Sequence, residues 1–268
     1  MDRLPARVRV DHLDARDPLF AAAVGIILRG GAFALRGEAA TMLEAHGLGA
    51  VFALSSILVP FFLGAAVGGI ASGQVPVGNS EGDAWSSWWN GTGVVVGLIA
   101  VVTGAHLAAV FLGADSHRAG QPELVRAFRT RALGSGLAAG GLAVVGLLVV
   151  RSDAPDLYDG LTSGAGLACV LGSAAAGLAT LGLEWRSRFE PARYTAAVAV
   201  AAIVAGFALA QRPYMLPPEL TVQEAAAPDA TLGALLGCVA VGMVVLVPAL
   251  VWLFRLHLSA RLDTGSNV

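Results

Sequence analysis

Long apolar runs separated by short polar connections set the pattern of this chain. Seven such runs stand out, at about 18–35, 47–72, 93–113, 132–150, 161–183, 194–210 and 231–254. Each approaches or exceeds the roughly 20 apolar residues that a helix needs to cross a bilayer. None alternates apolar and polar residues with period two, which a membrane barrel strand would require. The pattern therefore predicts an all-α fold, a polytopic transmembrane helix bundle of seven spans. Residues 1–17 form a polar N-terminal extension, 18–254 the bundle, and 255–268 a cytoplasmic C-terminal tail. Small residues recur four apart at Gly64 and Gly68, Gly136 and Gly140, Gly172 and Ala176, and Gly233 and Gly237. That spacing lets helix backbones approach closely in lipid, so these pairs predict helix contacts. Pro248 is expected to kink the last span.

Composition agrees with lipid as the main solvent. Of 268 residues 56% are hydrophobic and only 13% charged, about half the charged share of a soluble domain. The net charge of −2 gives no reason to expect a nucleic-acid partner. Both cysteines, Cys169 and Cys238, lie in apolar runs, so neither a disulfide framework nor a cysteine zinc motif is offered. The opening MDRLPARVRVDHLDARD has no apolar core and does not read as a signal peptide.

All 17 basic residues are arginine, and their placement sets an orientation. Arg118, Arg126, Arg129 and Arg131 fall between the third and fourth spans. Arg186, Arg188 and Arg193 follow the fifth, and Arg255 and Arg261 follow the last. The opposite connections carry no arginine at 73–92, then Arg151 alone and Arg212 alone. By the positive-inside rule the C-terminus is cytoplasmic and the tryptophan-bearing connection faces outward. Seven spans then place the N-terminus outside, against the rule, because Arg3, Arg7, Arg9 and Arg16 are there.

Few residues offer chemistry. Arg29, inside the first span, has a structural reading as an anchor whose guanidinium snorkels toward the end marked by Arg36. Its functional reading is contact with an anion, a lipid headgroup or a partner carboxylate. His106, in the third span, reads either as a neutral imidazole bonded to a neighbouring carbonyl or hydroxyl, or as a haem ligand or proton-relay member. A relay calls for a carboxylate, and none of the seven predicted spans contains one. Trp85, Trp88 and Trp89 suit the headgroup level, and Glu81 and Asp83 beside them face water. Asn90-Gly91-Thr92 matches a glycosylation sequon but abuts the membrane. No phosphate-binding, dinucleotide or metalloprotease motif is present, and no catalytic centre is expected in this chain.

Two outward connections carry a resemblance. The first is GNSEGDAWSSWWN, with the span after it ending AHLAAVFLGAD; the second is QRPYMLPPELTVQEAAAPDATL before the last span. With LRGGAFALR in the first span, these resemble subunit II of the cytochrome bd-type quinol oxidases over nearly the whole chain from about residue 18. The second connection is the most specific part. Asp83, Trp85, Trp88, Asn90, Pro213, Tyr214 and Pro217 are the signature positions.

The resemblance implies a subunit of a complex in the bacterial cytoplasmic membrane that reduces dioxygen to water with electrons from the membrane quinol pool. Haem b and haem d would be held by the partner, subunit I, with no haem expected in this chain. The family usually has nine spans, so the first two are expected to be missing here, through truncation or a start assigned too late. Ala34 stands where the family often has an acid, and Asn90-Gly91 stands where Asn-Pro is usual. On both counts the resemblance does not carry a proton path over to this subunit. A stand-alone transporter of small solutes is the alternative, and it predicts broken helices or paired charges at the bilayer midplane.

Overall fold

A computed structural model of the protein describes residues 16–38, 41–75, 88–218 and 220–258. Among these, eight α-helices follow one another: α1 Arg16–Leu35, α2 Met42–Ala71, α3 Gly91–Arg118, α4 Pro122–Asp153, α5 Pro155–Thr162, α6 Gly164–Trp185, α7 Phe189–Ala210 and α8 Asp229–Leu258. Seven are long and apolar enough to cross a membrane; α5, with 8 residues, is the exception. Strands β1 (Tyr214–Leu216) and β2 (Leu220–Thr221) pair antiparallel, with Tyr214 opposite Thr221. Helices α1 to α7 and the hairpin form one compact unit, and residues 223–268, containing α8, form a second.

The helices overrun the predicted spans for local reasons. Helix α2 starts at Met42 because Thr41 caps it: its hydroxyl accepts from the Glu44 amide while Glu44 accepts from the Thr41 amide. The arginine connection predicted over 114–131 is mostly helix. Only residues 119–121 separate α3 from α4, and Gly120 makes the turn at φ +67°. Its arginines therefore stand on helix ends, where their stems can lie along apolar surface. The predicted fifth span breaks at Ser163–Gly164 into α5 and α6, and α6 continues past Leu183 to include Glu184. The helices long enough to span thus do contain carboxylates, against the expectation of none, and among the described residues Glu184 is the buried one.

The seam between α2 and α3 is made by glycine on both sides. A Cβ on Gly64 would lie 2.9 Å from Gly97 Cα, and one on Gly68 would lie 2.8 Å from the Thr92 carbonyl oxygen. Backbone thus meets backbone, as the Gly64 and Gly68 spacing predicts. At Gly140 and Gly172 the space is open. Those two positions mark no helix contact within this unit. Helices α6 and α7 pair through hydroxyls: Ser173 donates to the Ala199 carbonyl at 2.8 Å, and the Thr180 and Thr195 oxygens lie 2.8 Å apart.

Two apolar clusters close the ends of the bundle. One joins Ala71, Val150, Ala154, Leu157, Leu161 and Ala210 at the tryptophan end. The other gathers Ala109, Val110, Ala114, Ala132, Phe189 and Ala192 toward the arginine end. There Arg118 pairs with Glu190, and Arg129 donates to the Trp185 carbonyl, tying the α3–α4 corner to the α6–α7 corner.

Candidate functional site

The histidine midway along the α3 span meets a carboxylate from another helix. His106, about three turns before the end of α3, points between α4 and α6. Its Nδ1 lies 3.1 Å from the Ala132 carbonyl oxygen. A carbonyl can only accept, so Nδ1 carries a hydrogen and donates it. Across the ring, Nε2 lies 3.5 Å from Glu184 Oε1. The Glu184 side chain is 0% exposed and that of His106 12%. Neither Glu184 oxygen has a hydrogen-bond partner within normal distance, so His106 Nε2 is the polar atom it faces.

Room for the imidazole comes from Gly136 on α4. A Cβ there would stand 2.9 Å from His106 Cε1 and 2.7 Å from Leu181 Cδ2. The Gly136–Gly140 spacing signalled close packing, but only Gly136 is in contact, and what it admits is a side chain. Gly136→Val is therefore expected to push the imidazole or Leu181 aside and lower stability by about 1–3 kcal/mol. Gly140→Val, in open space, should stay within about 0.5 kcal/mol. Denaturant unfolding in detergent, followed by tryptophan fluorescence, compares the two.

Arg29 stands elsewhere, on the exposed side of α1. Its guanidinium carbon lies 5.3 Å from the centre of the Phe52 ring on α2, and Phe33 packs against the same ring at 6.2 Å. A cation over an aromatic face is attracted by the ring quadrupole. Arg29 and His106 are thus not brought together.

The tryptophan end is built from the signature connections. Trp88 is buried, 6.0 Å from the Phe62 ring and 5.4 Å from Trp89, both edge-on. Asn90 caps α3: its Oδ1 accepts from the Gly93 amide at 2.7 Å, and its Nδ2 donates to Ser72 Oγ at 2.9 Å. Two residues on, the Thr92 amide and hydroxyl donate to Asp153 Oδ2 at 2.9 and 2.6 Å. The sequon residues are therefore cap residues. Pro213 accepts from the Val222 amide at 3.0 Å and so helps close the hairpin. Tyr214 and Pro217 line a small cavity of about 140 Å³ with Asp156, Asp159, Gln211 and Arg212. Asp83 and Trp85 lie outside the described residues.

The sequence offered no direct signal for Asp153 or Glu184 as members of these clusters. Both sit within two residues of a helix end, where a charged residue ordinarily marks the exit to water.

A family model described as cytochrome bd terminal oxidase subunit II matches residues 16–257. The chain belongs to that family. As a member of the subunit II family it is a multi-pass membrane protein and a component of a cytochrome bd-type complex. The fold is also found in the solved structure of the bd oxidase from Geobacillus thermodenitrificans. That match has a TM-score of 0.75 at 22% identity, over 90% of this chain and 73% of the other. No match is found among curated proteins.

Proposed function

We propose that this chain is the accessory subunit of a quinol oxidase of the bacterial cytoplasmic membrane. In this reading a haem-bearing subunit I carries haem b and haem d, oxidises quinol and reduces dioxygen to water. This chain supports its assembly and stability. The family match over 16–257 carries the proposal.

His106 does not fit a haem iron. Its Nδ1 is held by Ala132, and the Glu184 carboxylate stands 3.5 Å from Nε2, where a metal would have to approach. In this reading haem chemistry belongs to the partner. Nothing favours the transporter alternative: the break between α5 and α6 falls at the tryptophan end, by Ser163, and not at the middle of a span.

Purification of the tagged chain from its native membrane tests the reading. A co-purifying subunit with b- and d-type haem spectra and quinol-dependent oxygen consumption is the expected result. A chain that comes down intact, repeatedly, without any haem-bearing partner would sink it.

A further inference from the structure

We propose that His106 and Glu184 form a proton-binding site inside the bundle, holding one proton that exchanges with water at the arginine end. Three observations meet here. Glu184 is fully buried, its oxygens make no hydrogen bond of normal length, and the imidazole nitrogen it faces is the one left over after Nδ1 donates to Ala132.

The proton count follows from the donors. With a hydrogen on Nδ1, a neutral His106 presents a bare lone pair at Nε2. An ionised Glu184 beside that lone pair would be a buried anion facing an acceptor, which apolar surroundings penalise strongly. One further proton removes the conflict. Carried on Glu184, it is donated from Oε1 to Nε2 and the pair is neutral. Passed to Nε2, the O–H bond breaks, the N–H bond forms, and the pair becomes imidazolium and carboxylate with the same total charge. The low polarity around the pair favours the neutral form, with the proton on Glu184.

Charged groups on the elements packed around the pair make other contacts. On α4, Arg129 is bonded to the Trp185 carbonyl and lies over the Trp185 ring, and Arg131 lies over Phe128. On α3 and α7, Asp115, Arg118, Glu190 and Arg193 form their own network nearer the helix ends. The route for exchange is short, because Glu184 is the penultimate residue of α6 and the turn after it reads Arg186-Ser187-Arg188.

The site belongs to this chain alone, so its test is independent of the oxidase reading. Infrared spectra of the full protein, with whatever subunits accompany it, are recorded in lipid nanodiscs while the bath is changed from H₂O to D₂O. A protonated-carboxyl band that shifts in D₂O, disappears in Glu184→Gln and moves to higher frequency in His106→Phe is expected. Absence of any Glu184-dependent band near neutral pH overturns the proposal. So does a band that ignores D₂O, which would make the contact a locked structural bond. If Glu184→Gln fails to fold, ¹³C-glutamate labelling of the wild type and of His106→Phe decides in its place: an unchanged labelled band rejects the pair.

Discussion

Gly97→Leu is expected to part α2 from α3 and to cost at least about 3 kcal/mol, the upper end of ordinary overpacking. The reason lies in which atoms a new side chain would strike. A Cβ at residue 97 would stand 2.8 Å from the Phe61 carbonyl oxygen and 2.9 Å from the Phe61 ring. A carbonyl oxygen of a neighbouring helix cannot swing aside as a side-chain tip can. The helix as a whole must retreat, and retreat forfeits the dispersion contacts that hold apolar helices together in lipid. Gly104→Leu is the control, since it lies on the same helix with open space at its Cβ. Denaturant unfolding of the two variants in the same detergent should separate them by several kilocalories. If Gly97→Leu separates the helices fully, adding Gly68→Leu one seam position away should cost less than it does alone, because the shared contact is already lost. Equal midpoints for Gly97→Leu and Gly104→Leu would show that the seam tolerates widening.

The bundle itself was legible in the sequence because hydrophobic length is a property of single segments. Each helix that could span the membrane corresponds to an apolar run, as at Gly91–Arg118 or Gly164–Trp185. Which faces meet was only half legible. The Gly64 and Gly68 pair signalled a seam that exists, whereas Gly140 and Gly172 carry the same spacing with nothing opposite. A four-residue repeat states that a backbone can be approached. It does not state that a helix arrives.

The His106 cluster was hidden by a boundary. A span is read to end where charge begins, and the predicted fifth span, 161–183, stops one residue short of Glu184. Helix α6 instead runs to Trp185, and Arg129 from α4 satisfies the Trp185 carbonyl at its end. That closure keeps Glu184 inside the bundle. The contact joins residues 106 and 184 on different helices. No local pattern can encode such a pairing. Gly136 was the one visible trace, and it looked like any other small residue.

Asp153 shows the same principle at the other end, and its removal should be the second most damaging change. Asp153→Ala is expected to destabilise the protein by about 2–4 kcal/mol, the loss of two hydrogen bonds to a charged acceptor with a buried donor left behind. Thr92 is 0% exposed, and both its amide and its hydroxyl donate to Asp153 Oδ2. The carboxylate also stands at the first turn of α3, where unpaired amides favour a negative charge. Its second oxygen accepts from Gln74 at 3.4 Å, so one side chain from the end of α4 holds α3 and the stretch after α2. Asp153→Asn keeps an acceptor and loses the charge, and should cost only about 1 kcal/mol. Thr92→Val removes the hydroxyl alone. In a double-mutant cycle, Thr92→Val and Asp153→Ala should couple by about 0.5–3 kcal/mol, as residues sharing a hydrogen bond do. Strict additivity would mean that Asp153 acts through charge at the helix end and not through the threonine. Then Asp153→Asn should be as damaging as Asp153→Ala, and the same unfolding curves decide between the two accounts.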